Sequence, residues 1–145
     1  MEKLNFATQV SAWVAETKER GDAVLRQSTQ EVIELMQTPV SDGGNMPVKT
    51  GFLRASLRAA LGEPEVPITF NPNPNGSFAY DQTEISLVLN GAKLGDIVSA
   101  VYGANYAEYV NYGTSKMPPR LFVDLAAQQW PQIVAKVCAE AEAGA

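Results

Sequence analysis

Apolar side chains recur through the first quarter of the chain at Phe6, Val10, Trp13, Val14, Ala23, Val24, Val32, Leu35 and Met36. The spacing is close to the 3.6-residue period and predicts an amphipathic helix over residues 6–36, with Asn5 as its N-cap. At ~1.5 Å per residue such a helix reaches roughly 45 Å. That is long beside a chain of 145 residues, so part of it is expected to rest on a neighbouring subunit. Two shorter helices, broken at Gly21-Asp22 and packed internally, are the alternative, since a helical glycine costs ~1 kcal/mol against alanine. Pro39 ends the run.

Residues 41–49 (SDGGNMPVK) read as a flexible loop. Thr50 is then placed to cap a short helix, GFLRASLRAAL, closed by Gly62. Leu53, Leu57 and Leu61 would form its buried stripe, with Arg54 and Arg58 on one exposed face. Val66 to Phe70 reads as a short edge strand, and the Pro/Asn-rich run over 71–77 as a surface loop. Both loops are expected to be mobile until the protein assembles. From Glu84 to Asn90 the pattern alternates, Ile85, Leu87 and Leu89 against Ser86 and Asn90, which predicts a strand. Ile97 to Tyr102 is the next strand, giving an antiparallel meander. Asn105 is expected to cap a turn or two of helix closed by Gly113, with Tyr106, Tyr109 and Tyr112 along one side. Pro118-Pro119 stiffen the approach to a last helix over 121–140. Leu125, Trp130, Ile133, Val134 and Val137 are its apolar face, Pro131 is its kink, and its tail is expected to fray. The expected fold is α+β, a single domain over 1–145, with long N-terminal and C-terminal helices packed on a small antiparallel β-sheet.

Composition narrows the function classes. The apolar fraction of 46% suits a globular core, and a net charge of −5 argues against a general nucleic-acid binder. The charge is uneven: residues 43–62 hold Lys49, Arg54 and Arg58 and no acid. With no histidine and one cysteine, Cys138, neither a histidine-based triad nor a His/Cys zinc site can form, and no disulfide can close within the chain. No apolar run approaches the ~20 residues of a membrane span. The N-terminus lacks the apolar stretch of a signal peptide.

Candidate chemistry concentrates in two stretches, Met46–Leu57 and Tyr102–Trp130. Catalysis fits poorly, because the carboxylates are scattered and acid/base work needs two that converge. Gly113-Thr114-Ser115-Lys116 lacks the rest of a phosphate loop and reads as a helix stop and turn. Lys49, Arg54 and Arg58 form a basic patch that could face an acidic patch of another copy or nucleic acid in a ring lumen; a solvated helix face is the plainer alternative. Arg120 follows two prolines on a stiff stem, and its fork suits bidentate pairing with a carboxylate. It either anchors a subunit boundary or ties its loop to the last helix, with Asp124 the acid nearest in sequence. Of the tyrosine row, Tyr106 is expected in the core and Tyr109 or Tyr112 at an interface.

Together these stretches resemble a known family. Thr50, Gly51, Leu53, Arg54 and Ser56 match a TGxLRxS motif. Tyr106, Ala107, Val110, Gly113 and Thr114, followed by Arg120 and Phe122, match a YAxxVxxGT and RxF signature. The pair at this separation looks like the tail-completion or neck proteins of long-tailed bacteriophages, of the minor tail-component type. The Pro/Asn-rich run near 71–77 departs from that pattern. The resemblance implies a non-enzymatic structural virion protein, without cofactor, that completes tails or joins heads to tails. It implies a homo-oligomeric, hexameric ring between a head connector or adaptor and a tail terminator or tail tube, with DNA passing through the lumen. Its location would be the virion neck, and the host cytoplasm during assembly. In such a ring, the residue-level reading places Lys49, Arg54, Arg58, Tyr109, Tyr112 and Arg120 at contacts with another subunit or a neighbouring ring. The alternatives are a small regulatory or toxin-like binding module acting as monomer or dimer, and a small carboxylate enzyme.

Overall fold

A single uninterrupted helix, α1 (Phe6–Gln37), runs the length of the molecule. The computed structural model describes residues 6–64 and 67–143; Asn5, the expected N-cap, lies outside them. Gly21 does not break the helix, so the single-helix expectation holds. The buried side differs in detail from the apolar pattern: Ile33 and Met36 are buried with Ser28, Thr29 and Gln37, while Leu35 is exposed. Of these polar residues, Thr29 and Gln37 have partners, while the Ser28 hydroxyl is buried without one among the described residues. Thr29 donates its hydroxyl to the Leu25 carbonyl at 2.7 Å, one turn back along the helix.

Only the second half of α1 is covered. The C-terminal segment divides into α5 (Phe122–Gln128) and α6 (Trp130–Ala143), both packed on α1. Lys136 of α6 lies 2.9 Å from Glu31. The kink expected at Pro131 is an interruption of one residue, Gln129, two positions earlier. Proline sits in the first turn of α6, where its missing N–H has no helical partner to lose. α6 extends into the tail as far as Ala143. No described helix is long and apolar enough to cross a membrane.

The sheet is smaller than expected and draws on a different segment. Residues 50–62 are not one helix. They form a single turn, α2 (Phe52–Ala55), and then a strand, β1 (Leu57–Leu61). β1 pairs antiparallel with β2 (Val98–Tyr102), in register from Leu57 opposite Tyr102 to Leu61 opposite Val98. Leu, Arg and Ala all favour helix, but that preference is worth only tenths of a kcal/mol per residue. Pairing with β2 and burial of Leu57 and Ala59 against the core override it, as β context commonly does.

The predicted strand over 84–90 is instead a helix, α3 (Gln82–Asn90). Ile85 and Leu89 are one turn apart and both buried, whereas Leu87 is 70% exposed. The alternation was real but compatible with either period. The deciding signal is local: the Asp81 carboxylate accepts from the Thr83 N–H at 2.9 Å, and Glu84 completes a D-x-x-E helix start. The meander therefore reduces to two strands, and the α+β class stands: long α1 and the C-terminal helices pack with a small antiparallel sheet.

Neither loop is open chain. Residues 41–49 begin as a 3-10 turn (Val40–Asp42), and Val40 N–H donates to the carbonyl of Met46, itself fully buried. Over 71–77, the Asn71 side chain accepts from Asn73 N–H and Asn73 from Asn75 N–H, a chain of Asx turns. Val66 lies outside the described residues. The rest of the expected edge strand makes one parallel bridge, Thr69 to Ala104.

Two apolar clusters form the core. Ile33, Met36, Leu57, Ile85, Leu89 and Ala126 make the first, and Met46, Leu53, Ala104, Val110 and Phe122 the second. Tyr102 and Val123 pack against both.

Candidate functional site

The two stretches that carry the sequence motifs meet in the second cluster, where Leu53 packs with Val110 and Phe122. Above it lies a cleft of about 470 Å³ whose lining includes Lys49, Thr50, Gly51, Asn71, Tyr106 and Arg120.

Gly51 makes one wall possible. Its φ is +85°, and a Cβ there would collide with the Phe78 carbonyl oxygen. Only glycine combines that conformation with that approach. Thr50 accepts from Phe52 N–H through its hydroxyl at 3.2 Å and from Phe78 N–H through its carbonyl at 2.7 Å. It thus holds the start of α2 but does not occupy its N-cap position, which is Gly51. Asn71 reaches the same hydroxyl at 3.4 Å. The Asn-rich run, which lies between the two motifs in sequence, is therefore fastened to the first of them.

The opposite wall comes from α4 (Ala107–Tyr112). Its cap is Tyr106, not Asn105, and no side chain caps it. Gly113, at φ +79°, ends it because Met117 and Pro119 crowd the place of a Cβ. Thr114 and Met117 then bridge antiparallel, and Arg120 N–H donates to the Val110 carbonyl at 3.0 Å. Leu121 takes a left-handed φ of 52°, an uncommon conformation for a branched side chain. It is held there by its N–H donating to the Asn111 carbonyl at 2.9 Å.

Asn111 is the residue that the sequence reading missed. It is buried in α4 and caps α5 across space. Its side-chain oxygen accepts from Val123 N–H at 3.1 Å and its amide donates to Asp124 at 3.2 Å. An asparagine between Val110 and Tyr112 in the short helix AEYVNY was the available signal. Asp124 is thereby engaged, and Arg120 makes no ion pair among the described residues. The local Arg120–Asp124 pair is not formed. Arg120 is exposed on the rim, as is Lys49, and no carboxylate among the described residues lines the cleft.

The expected basic patch is not a patch. Arg54 is a packing residue: its Nε donates to the Gln37 carbonyl at 2.8 Å, Gln37 returns a bond to the Arg54 carbonyl, and the guanidinium lies 5.0 Å above the Tyr80 ring centre. Tyr102 donates to the Gln37 side chain at 2.7 Å. Burial pushes the Tyr102 phenol far above its ordinary pKa. Arg58 lies on β1 and donates to the carbonyls of Ala55 and Leu57. It lines a different groove, with Asp81 and Glu84. The cause is the strand: successive residues point to opposite faces there, so the i, i+4 logic does not apply. Lys49 is instead grouped with Arg120.

Ser56 is buried, with its hydroxyl on the Leu53 carbonyl at 2.6 Å. Phe122 is buried edge-on to Tyr102, ring centres 5.1 Å apart. Tyr106 is half-buried against Phe52 and its phenol is raised by burial, with a Leu53 backbone hydrogen bond opposing. Tyr109 and Tyr112 are exposed. Of the motif residues, Thr50, Gly51, Leu53, Tyr106, Val110 and Arg120 line the cleft, Ser56 and Phe122 are buried, and Arg54 packs against Gln37 and Tyr80.

No group of three or more metal-ligating side chains occurs among the described residues. The cleft offers two cations beside an apolar floor, an arrangement suited to a carboxylate-bearing protein surface. Compared with known proteins, the chain matches no family model, no curated protein and no solved structure.

Proposed function

We propose that this chain is a structural component of a phage neck, completing tails or joining heads to tails as one subunit of a ring. The observation that carries the reading is the meeting of its two motif-bearing stretches in one cleft, where Arg120 and Lys49 stand exposed with no ion pair to an acid among the described residues. A cation that follows a Pro-Pro stem loses little backbone freedom when a partner carboxylate engages it. In this role Arg120 meets an acid on the adjoining subunit or ring, and Tyr109 and Tyr112 border the contact.

The test is complementation of a phage lacking this chain. Without it, filled heads and separate tails are expected by electron microscopy, and joined particles would overturn the reading. Arg120→Ala should melt within ~0.5 kcal/mol of wild type, as exposed substitutions do. Loss of a desolvated cross-subunit pair costs roughly 2–5 kcal/mol of association, so this variant should fail to restore joined particles. Full restoration would remove Arg120 from the interface.

A further inference from the structure

The first fifteen residues of α1, 6–20, are exposed throughout, yet they carry an apolar stripe. Phe6, Val10, Trp13 and Val14 fall on one helical face, and Phe6 and Trp13 are 81% and 66% exposed. The same chain carries an apolar groove of about 530 Å³ whose lining includes Leu25, Val32, Val98, Val123, Ala127 and Trp130. Stripe and groove cannot meet within one molecule. Leu25 and Val32 belong to α1 itself, and α1 is unbroken from Phe6 to Gln37, so the stripe always points away from the groove along one rigid axis.

We infer that the projecting half of α1 seats its Phe6/Trp13 stripe in the Val98/Ala127/Trp130 groove of a second copy of this chain. Helix-in-groove docking lays anchors about one turn apart along a single helical face, and Phe6, Val10, Trp13 and Val14 are so placed. Area supports the occupant. Two aromatic side chains of ~200 Å² each, mostly exposed, together with two valines, offer roughly 400 Å². The groove wall that covers them doubles this to roughly 800 Å². With interfaces only ~60% apolar, the whole contact comes to roughly 1,300 Å², within the class of specific protein–protein contacts. Donor and acceptor surfaces are different parts of the molecule, so the contact is heterologous and can propagate from copy to copy until it closes. The closure into a ring, though not the docking itself, rests on the neck reading above.

Two full-length variants test it. Phe6→Ser with Trp13→Ser removes the stripe and leaves the groove. Ala127→Glu blocks the groove and leaves the stripe; Ala100→Glu, also exposed and in the groove lining, replaces it if the first does not match the wild-type melt. Wild type should be oligomeric by analytical ultracentrifugation. Each variant should be a folded monomer, with self-association weakened about 100-fold or more, the range for truncated interface anchors. Mixing the two should restore one contact and give a 1:1 heterodimer. A monomeric wild type, or oligomers that survive groove blocking, would overturn the inference, the latter because the stripe then pairs elsewhere. If the groove-blocked chain is monomeric yet still joins heads to tails, the docking stands and ring closure through it fails; if heads and tails join without the chain at all, the docking stands and the neck reading fails. If oligomers ignore both variants while particles depend on Arg120, the reverse holds.

Discussion

The two halves of α1 have similar local chemistry and opposite surroundings. Residues 21–37 lie under α5 and α6 and bury Ile33 and Met36. Residues 6–20 show four large apolar side chains to solvent. Periodicity alone treats them as one amphipathic run. The difference between them is what other segments lie alongside, and that is a property of the fold and not of the helix. An apolar stripe therefore marks where contact is needed and leaves open whether the contact is internal or with another molecule.

The sharpest test of this contrast is Ile33→Ala. It leaves a cavity in the first cluster and should cost roughly 2–5 kcal/mol, the range for large-to-small core changes, measured by chemical denaturation. A cost below 1 kcal/mol would mean the covered half is not packed as described. Next, Asn111→Ala removes the cap on α5 and leaves Asp124 and the Val123 N–H without their partner. A loss of roughly 1–3 kcal/mol is expected, and a melt equal to wild type would exclude the capping role.

The third test uses pH. Burial raises the Tyr102 phenol above the ordinary tyrosine pKa of about 10. The folded protein therefore holds that proton where the unfolded chain releases it. Its contribution is intact below pH ~10 and declines above it, by up to ~1.4 kcal/mol per pH unit for one group. Tyr102→Phe should flatten this alkaline loss; an unchanged alkaline profile would assign the titration to another group. The smallest effect belongs to the projecting half. Trp13→Ser in the dissociated monomer should change stability by less than ~0.5 kcal/mol. A larger loss would show that residues 6–20 pack internally.

Much of the helical frame was legible in the sequence. The long helix, its stop near Pro39, strand 98–102, the Gly113 stop and the break near Pro131 follow from period, proline and glycine. The misreadings share a cause. Residues 57–61 form a strand because β2 lies beside them, forty residues on, and nothing in Leu-Arg-Ala-Ala-Leu announces it. Residues 84–90 offered two periods, and the Asp81 cap that selects the helix lies outside the window in which the alternation appears. The basic patch failed with the helix it was drawn on, and Lys49 and Arg120 came together only through tertiary contact. Asn111 was hidden because a capping residue is ordinarily sought immediately before its own helix, not on a neighbouring one.

The continuity of α1 through Gly21 has a kinetic side. An isolated fifteen-residue helix is marginal in water, since its first turn fixes several dihedrals for one hydrogen bond. Residues 6–20 avoid that step. The packed half already supplies the nucleus, and each further turn only propagates from it. The projecting segment is thus templated before any encounter, and a partner meets a ready-made helix instead of a chain that must coil as it binds. Association then carries no folding step of its own, and its rate is set by how often the two surfaces meet in register.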